Sequence, residues 1–298
     1  MFKRHNSKDI YSNVESAGTT HRFREVARRY FHNKAAVFGL VILCLVLFII
    51  IFANVLAPEE LVTSYDVQNR LSAPSAKHWF GTDNLGRDIF ARVIYGTRIT
   101  VGIGVGSTLL ALLIGGILAS VCALFRKADF VIMRLIDVFN SIPQLLLALV
   151  ILAIMGGSVF NMILTLTIVS IPGFTTRIRA VLFGVVGQDY VNAARLSGDK
   201  PLKLVLRHVI PNAVDPIIVD ATMQISSMLL SAAGLSFIGV GVTPPSPEWG
   251  AMLNYAQDYF RTAPHTAVFP GIAIALTALS INLVGDGLRD ALDPKAIK

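Results

Sequence analysis

AAVFGLVILCLVLFIIIFANVLA, residues Ala35 to Ala57, carries no charged side chain over its whole length. About 20 predominantly apolar residues suffice for a helix to cross the hydrocarbon core of a bilayer. This stretch therefore predicts a membrane span, and the rest of the chain repeats the pattern. Ile99 to Phe125 is a second uncharged run, and Val131 to Gly156 a third, with Arg134 and Asp137 near its start. A fourth runs from about Asn161 to Phe183, broken by Pro172 and ending in Arg177 and Arg179. The fifth lies within His208 to Val242 and the sixth within Thr266 to Leu288. The fold class expected is an all-α integral membrane protein of six transmembrane helices.

Composition agrees. Of 298 residues, 54% are hydrophobic and 15% charged, where a soluble domain carries roughly 25% charged residues. The net charge of +7 would suit nucleic acid, but its placement argues for a lipid surface instead. Eight basic residues precede the first span: Lys3, Arg4, Lys8, Arg22, Arg24, Arg28, Arg29 and Lys34. Arg126 and Lys127 follow the second, and Arg195, Lys200, Lys203 and Arg207 follow the fourth. Arg289, Lys295 and Lys298 follow the sixth. The opposite connections carry Arg261 alone, apart from the charge-balanced 58–98 segment. Basic residues concentrate on the cytoplasmic side of membrane proteins, so both termini are expected to be cytoplasmic, with anionic lipid as their neighbour and no nucleic-acid partner.

The organisation expected is a cytoplasmic segment over 1–34, a first span with its external loop over 35–98, a membrane core over 99–290 and a tail over 291–298. Phe23, Val26, Ala27, Tyr30 and Phe31 share a helical face before the first span, which predicts an interfacial amphipathic helix. No cleavable leader is apparent, because the first apolar run is too long for a signal-peptide core. Cys44 and Cys122 lie in apolar runs and read as buried thiols.

One cytoplasmic connection, over 186–207, is long and charged. GQDYVNAARLSG predicts a short helix ending at Gly198, with Asp199 as a cap and Pro201 in the first turn of a second helix, LKLVLRH. From the residues alone, this is either a partner-docking helix pair or a solvated loop on the headgroups. The frame Asn192-Ala193-Ala194, Gly198 and His208-Val209-Ile210-Pro211 resembles the Glu-Ala-Ala loop of ABC importer permeases. Asn192 stands in the Glu place, and His208 and Ile210 stand in the Ile and Leu places. HWFGTDNLGRDIFARVIYGTRI (His78 to Ile99), LSFIGVGVTPPSPEWGAML (Leu235 to Leu253) and INLVGDGLRDALDPK (Ile281 to Lys295) are similar to the dipeptide/oligopeptide/nickel branch of that family. They resemble its second, C-type permease subunit in particular.

The resemblance implies a bacterial inner-membrane permease subunit that forms half of a translocation path for di- or oligopeptides. Nickel or other metal chelates and glutathione are alternative cargoes. It implies a homologous second permease, two ATP-binding subunits and an extracellular or periplasmic substrate-binding protein as partners. The loop with Tyr190, Asn192, Ala193, Ala194, Arg195, Gly198, Pro201 and Pro211 would be the element that docks on an ATPase. ATP and magnesium would then belong to the partners. Consistently, the chain has no G-x-x-x-x-G-K-[ST] loop to cradle a nucleotide phosphate.

Arg134 with Asp137, and Asp286 with Arg289, are three residues apart and read as structural ion pairs. Asp215 and Asp220 have no evident local partner and are candidates for the path or for contact with the sister subunit. Gly102 and Gly106, in G-x-x-x-G spacing, read as a helix-packing face. TPPSPEWG is a docking ledge or, through Trp249, an interfacial anchor. FGTDNLGRD does not follow the order of a calcium loop. No histidine spacing suggests a metal site and no nucleophile–base group suggests catalysis. The rival functions are a stand-alone secondary transporter, which calls for a repeat with matched broken helices, and a non-transporting scaffold.

Overall fold

The computed structural model describes residues 24–293, and within them the regular structure is helical, apart from an isolated β-bridge between Thr82 and Asp88. A short helix α1 (24–32) leads through the Asn33 cap into α2 (Lys34–Leu56). The Asn33 side chain accepts from the amides of Ala35 and Ala36 at 3.1 and 3.3 Å, satisfying two of the donors that every helix start leaves open. Then come the single turn α3 (Glu60–Thr63), the long α4 (Ile89–Leu124), α5 (Arg126–Asn140) and α6 (Gln144–Met155). The chain continues with α7 (Val159–Val186), α8 (Asp189–Leu196), α9 (Pro201–Leu204), α10 (Ile210–Phe237), α11 (Trp249–Ala256) and α12 (His265–Leu292). Of the residues expected in the interfacial helix, Val26, Ala27, Tyr30 and Phe31 lie in α1, while Arg22 and Phe23 fall outside the described residues.

Five of these helical stretches are long and apolar enough to span a membrane; α5 and α6 make a sixth only when taken together. They meet at 84°, so the third expected span is not one rod. The cause is Ser141-Ile142-Pro143. Pro143 disfavours helical backbone in the residue before it, and the Ser141 hydroxyl donates to the Val138 carbonyl at 2.7 Å. The second span also differs from expectation. Asp88 caps α4 by accepting from the Ala91 amide at 2.8 Å, so the helix starts ten residues before the uncharged run.

α4 is the central strut, lying against α2, α7 and α10, while α12 packs on α2 and α10. The close approaches use glycine, though not the pair the spacing suggested. A Cβ on Gly115 would stand 2.8 Å from that of Phe174, and one on Gly39 would stand 2.6 Å from that of Leu283. At Gly102 it would meet nothing, and at Gly106 only ordinary contact with Ile163. The G-x-x-x-G pair therefore faces open space or loose contact, and Gly96, Gly104 and Gly115 on the same helix make the tight approaches. Gly285 and Gly287 do sit close to Met223 and Ala36. Cys122 is buried, whereas Cys44 lies on the outward face of α2 beside Leu45 and Phe48, the face a lipid chain would cover.

Both described ends of the chain lie at one end of the bundle. Asn33 donates through its side-chain Nδ2 to Asp290 Oδ2 at 3.3 Å, and Gly287 abuts Ala36. The start of α10 joins the end of α12 around a shared hollow, which brings α8 and α9 to that same end. The opposite end is a cap made by residues 57–88 and 238–264. Trp249 is buried there, 1% exposed, its indole N–H donating to the Val93 carbonyl at 3.0 Å. Its role is to lock α11 onto α4, which corrects the expectation of an interfacial anchor.

Candidate functional site

α8 stands clear of the bundle. Val191 alone is fully buried on it, inserted in the core cluster with Leu182, Leu204 and Val209. Ala194 is half-buried against the same cluster, so of the alanine pair only Ala193 is presented outward. Tyr190, Asn192 and Arg195 are exposed, and Leu196 is 90% exposed. A leucine held out at the tip of a short ordered helix is an apolar knob lacking a partner among the described residues.

The termination of α8 follows from its sequence. Gly198 has φ +89°, a left-handed conformation that costs an L-residue roughly 1–2 kcal/mol. Its amide donates to the Arg195 carbonyl at 3.1 Å, and that of Asp199 to Ala194 at 3.3 Å, the paired bonds of a Schellman ending. Asp199 does not cap the next helix. Its carboxylate instead takes the Lys203 ammonium at 2.5 Å and His208 Nε2 at 3.3 Å. The Lys203 hydrogen bond, with His208 behind it, holds the Asp199 carboxyl below its ordinary range. Pro201 opens α9, where its missing N–H costs nothing.

α9 does not end before the fifth span. It runs through a π-helical turn, Val205–Val209, directly into α10, so that residues 201–237 form one continuous helix. Pro211 explains the wide turn. Within a helix, proline removes one hydrogen bond and its ring crowds the carbonyl four residues earlier. A π turn just upstream relieves that crowding.

Inside the bundle, the α5–α6 bend borders a hollow of about 240 Å³. Its polar lining is Asn140, Gln144, Ser170, Arg177 and Gln224. The Gln144 amide donates to Ser170 Oγ at 3.3 Å, tying α6 to α7. Arg177 lies over the Phe174 ring at 4.9 Å and donates through Nε to Asp220 on α10 at 2.9 Å. Asp220 in turn borders, with Asp215 and Arg289, a larger open hollow of about 630 Å³ at the α8 end. The ion pair thus stands between two hollows.

Asp220 has a partner that sequence spacing did not reveal, because Arg177 is 43 residues away on another helix. Arg179, two residues on, is bound to Asp129 of α5, with Nη2 to Oδ2 at 2.7 Å. The two expected i,i+3 pairs are absent among the described residues. Arg134 lies over the Phe130 ring at 5.4 Å, and Asp137, Asp286 and Arg289 are exposed. On an outward helix face a guanidinium gains as much from an adjacent ring as from an exposed carboxylate. Asn140, Gln144, Ser170 and Gln224 escaped the sequence reading; amides inside apolar runs were the available signal.

Residues 111–298 match the binding-protein-dependent transport system inner membrane component family. Residues 22–74 match the N-terminal transmembrane domain of oligopeptide transport permease C. A dipeptide transport system permease protein of Alkalihalophilus pseudofirmus is 39% identical over 92% of this chain and 90% of its own. Glutathione transport system permease proteins of Pectobacterium atrosepticum and of Escherichia coli O6:K15:H31 are 40% and 41% identical, each over 92% of this chain and at least 90% of theirs. A stand-alone secondary transporter and a passive scaffold are thereby set aside. With its bundle of apolar spanning helices, the chain belongs to the binding-protein-dependent inner membrane components, as a multi-pass permease subunit of an ABC importer rather than an enzyme.

Proposed function

We propose that this subunit imports short peptides, with α8 as the element that couples it to an ATPase. Its place in the family implies ATP-hydrolysing and substrate-binding partners. The finer assembly proposed is one homologous permease, two ATP-binding subunits that hold ATP and magnesium, and one external binding protein. The α8 end, with both termini, faces the cytoplasm, where the basic residues of the connections meet anionic lipid. The cap over 57–88 and 238–264 faces the binding protein.

Peptide cargo is supported by chemistry as well as by the relatives' dipeptide and glutathione names. A short peptide carries amides and opposite end charges. Asn140, Gln144 and Gln224 both donate and accept, while Arg177 and Asp220 offer one charge of each sign along the same route. In this reading the two hollows are this chain's share of the path, closed by the sister permease.

The observation that carries the coupling role is Leu196, 90% exposed on a helix locked by Val191 and the Gly198 ending. The test is ATP-driven peptide uptake in proteoliposomes holding the complete transporter. Leu196→Asp should insert and pair normally yet lose at least about tenfold in uptake, as expected when an apolar anchor worth about 1.4 kcal/mol or more is removed from an interface. Wild-type uptake by that variant would remove α8 from the coupling role.

A further inference from the structure

At the cap end, the 66–88 loop turns through Gly86 (φ +80°), where a Cβ would lie 1.8 Å from the Asp66 carbonyl oxygen. The turn delivers Arg87 beside Arg92 of α4. Both side chains are buried, each residue 2% exposed. Arg87 Nε donates to Asp83 Oδ2 at 2.7 Å, while Arg92 Nε stands 3.6 Å from the same oxygen, within ion-pair range but too long for a hydrogen bond. Arg92 Nη1 donates to the carbonyls of Val62 at 2.9 Å and Pro245 at 3.4 Å. Two guanidinium groups therefore share one carboxylate. Arg87 Nη1 and Arg92 Nε remain buried with no hydrogen-bond partner among the described residues.

Both arginines, together with the Asp83 carboxylate they share, line a cavity of about 20 Å³ between α4, α11 and α12, with Tyr255 and Tyr259 also on its wall. A space of about 10–15 Å³ holds one water-sized particle, so sulfate, phosphate and carboxylates are too large. Water would satisfy the donors but leave one positive charge uncompensated in a buried place, which is costly. Asn84 also lines the cavity, and its Oδ1 is buried without a partner among the described residues. Turning that amide over presents NH₂ instead, a third donor, and the two assignments differ only by hydrogen bonding.

We infer that this cavity is a structural site for a single monatomic anion of chloride chemistry, held by Arg87 and Arg92, which fastens the 58–88 loop to α4 and α11. This site is distinct from the peptide path and does not depend on the cargo assignment.

The test uses the full chain in lipid nanodiscs with the subunits that co-purify with it. The heat-induced loss of soluble permease is followed in sodium chloride, bromide or gluconate at equal ionic strength. Chloride and bromide should raise the midpoint saturably by about 3 °C over gluconate, and Arg87→Gln should abolish the difference. Equal midpoints in the three salts, or a chloride effect that survives in Arg87→Gln, would overturn the site. Should that variant fail to accumulate, crystals of the wild-type complex grown in bromide decide the matter. An anomalous peak between Arg87 and Arg92 is expected, and a cavity density without anomalous signal means water and ends the proposal.

Discussion

Gly198 was legible from sequence in position and in conformation, because few residues other than glycine end a helix in the left-handed region. The structure adds that a Cβ there would meet nothing within 4 Å, so the demand is purely one of backbone. Asparagine tolerates that region better than other L-residues and β-branched residues tolerate it least. Gly198→Asn should therefore keep most of the ATP-driven uptake, while Gly198→Val should lose most of it with normal insertion. Equal uptake by the two variants would refute a conformational role. Asp199 permits a prediction in pH. Its carboxyl is held below the ordinary 3.8, so the lock to Lys203 is complete above that value and is lost only as pH falls through the lowered one. Uptake should then show no acid limb from this pair across about pH 5.5–8, whereas Asp199→Asn should lower uptake at every pH in that range. A decline that Asp199→Asn abolishes would contradict this.

Among the elements, those written in long uncharged runs, such as α2 and α12, were read to within a few residues. Those shaped by a single proline were not. Pro143 was hidden inside an apolar run, and the run concealed a right-angled break. Around Pro211 the difference runs the other way, because LKLVLRH was expected as a short helix separate from the fifth span. The structure keeps the helix and widens one turn instead. Partners such as Arg177 and Asp220 were illegible for a different reason, since helix-to-helix register is set by packing and carries no local spacing. The glycines show the same limit. Spacing favoured Gly102 and Gly106, but contact singles out Gly115. Overpacking a tight approach costs about 1–3 kcal/mol, so Gly115→Leu should sharply reduce the amount of folded permease extracted from membranes. Gly102→Leu should leave it unchanged, and a reversed order would place the α4–α7 contact elsewhere.

At the scale of the whole molecule, the bent α5–α6 pair decides a question of parity. Five crossings would put the chain's ends on opposite sides of the membrane, and six put them on the same side. The contacts of Asn33 with Asp290 and of Ala36 with Gly287 require the same side, so α5 and α6 together must complete one crossing despite their 84° bend. α8 shares that side through the hollow that joins Asn212 and Asp215 to Arg289. We propose that side as the cytoplasmic one, on the separate ground of where Lys and Arg fall along the sequence. Single cysteines placed at exposed positions in a chain lacking Cys44 and Cys122 can check both statements at once. A membrane-impermeant thiol reagent added to intact cells should label a cysteine at Thr243 in the cap. It should label cysteines at Leu196 and His32 only after the cells are opened. Labelling of His32 and Leu196 from opposite sides would break the six-crossing topology. Labelling of both from outside would keep the topology, invert its orientation and place α8 where no cytoplasmic ATPase reaches it.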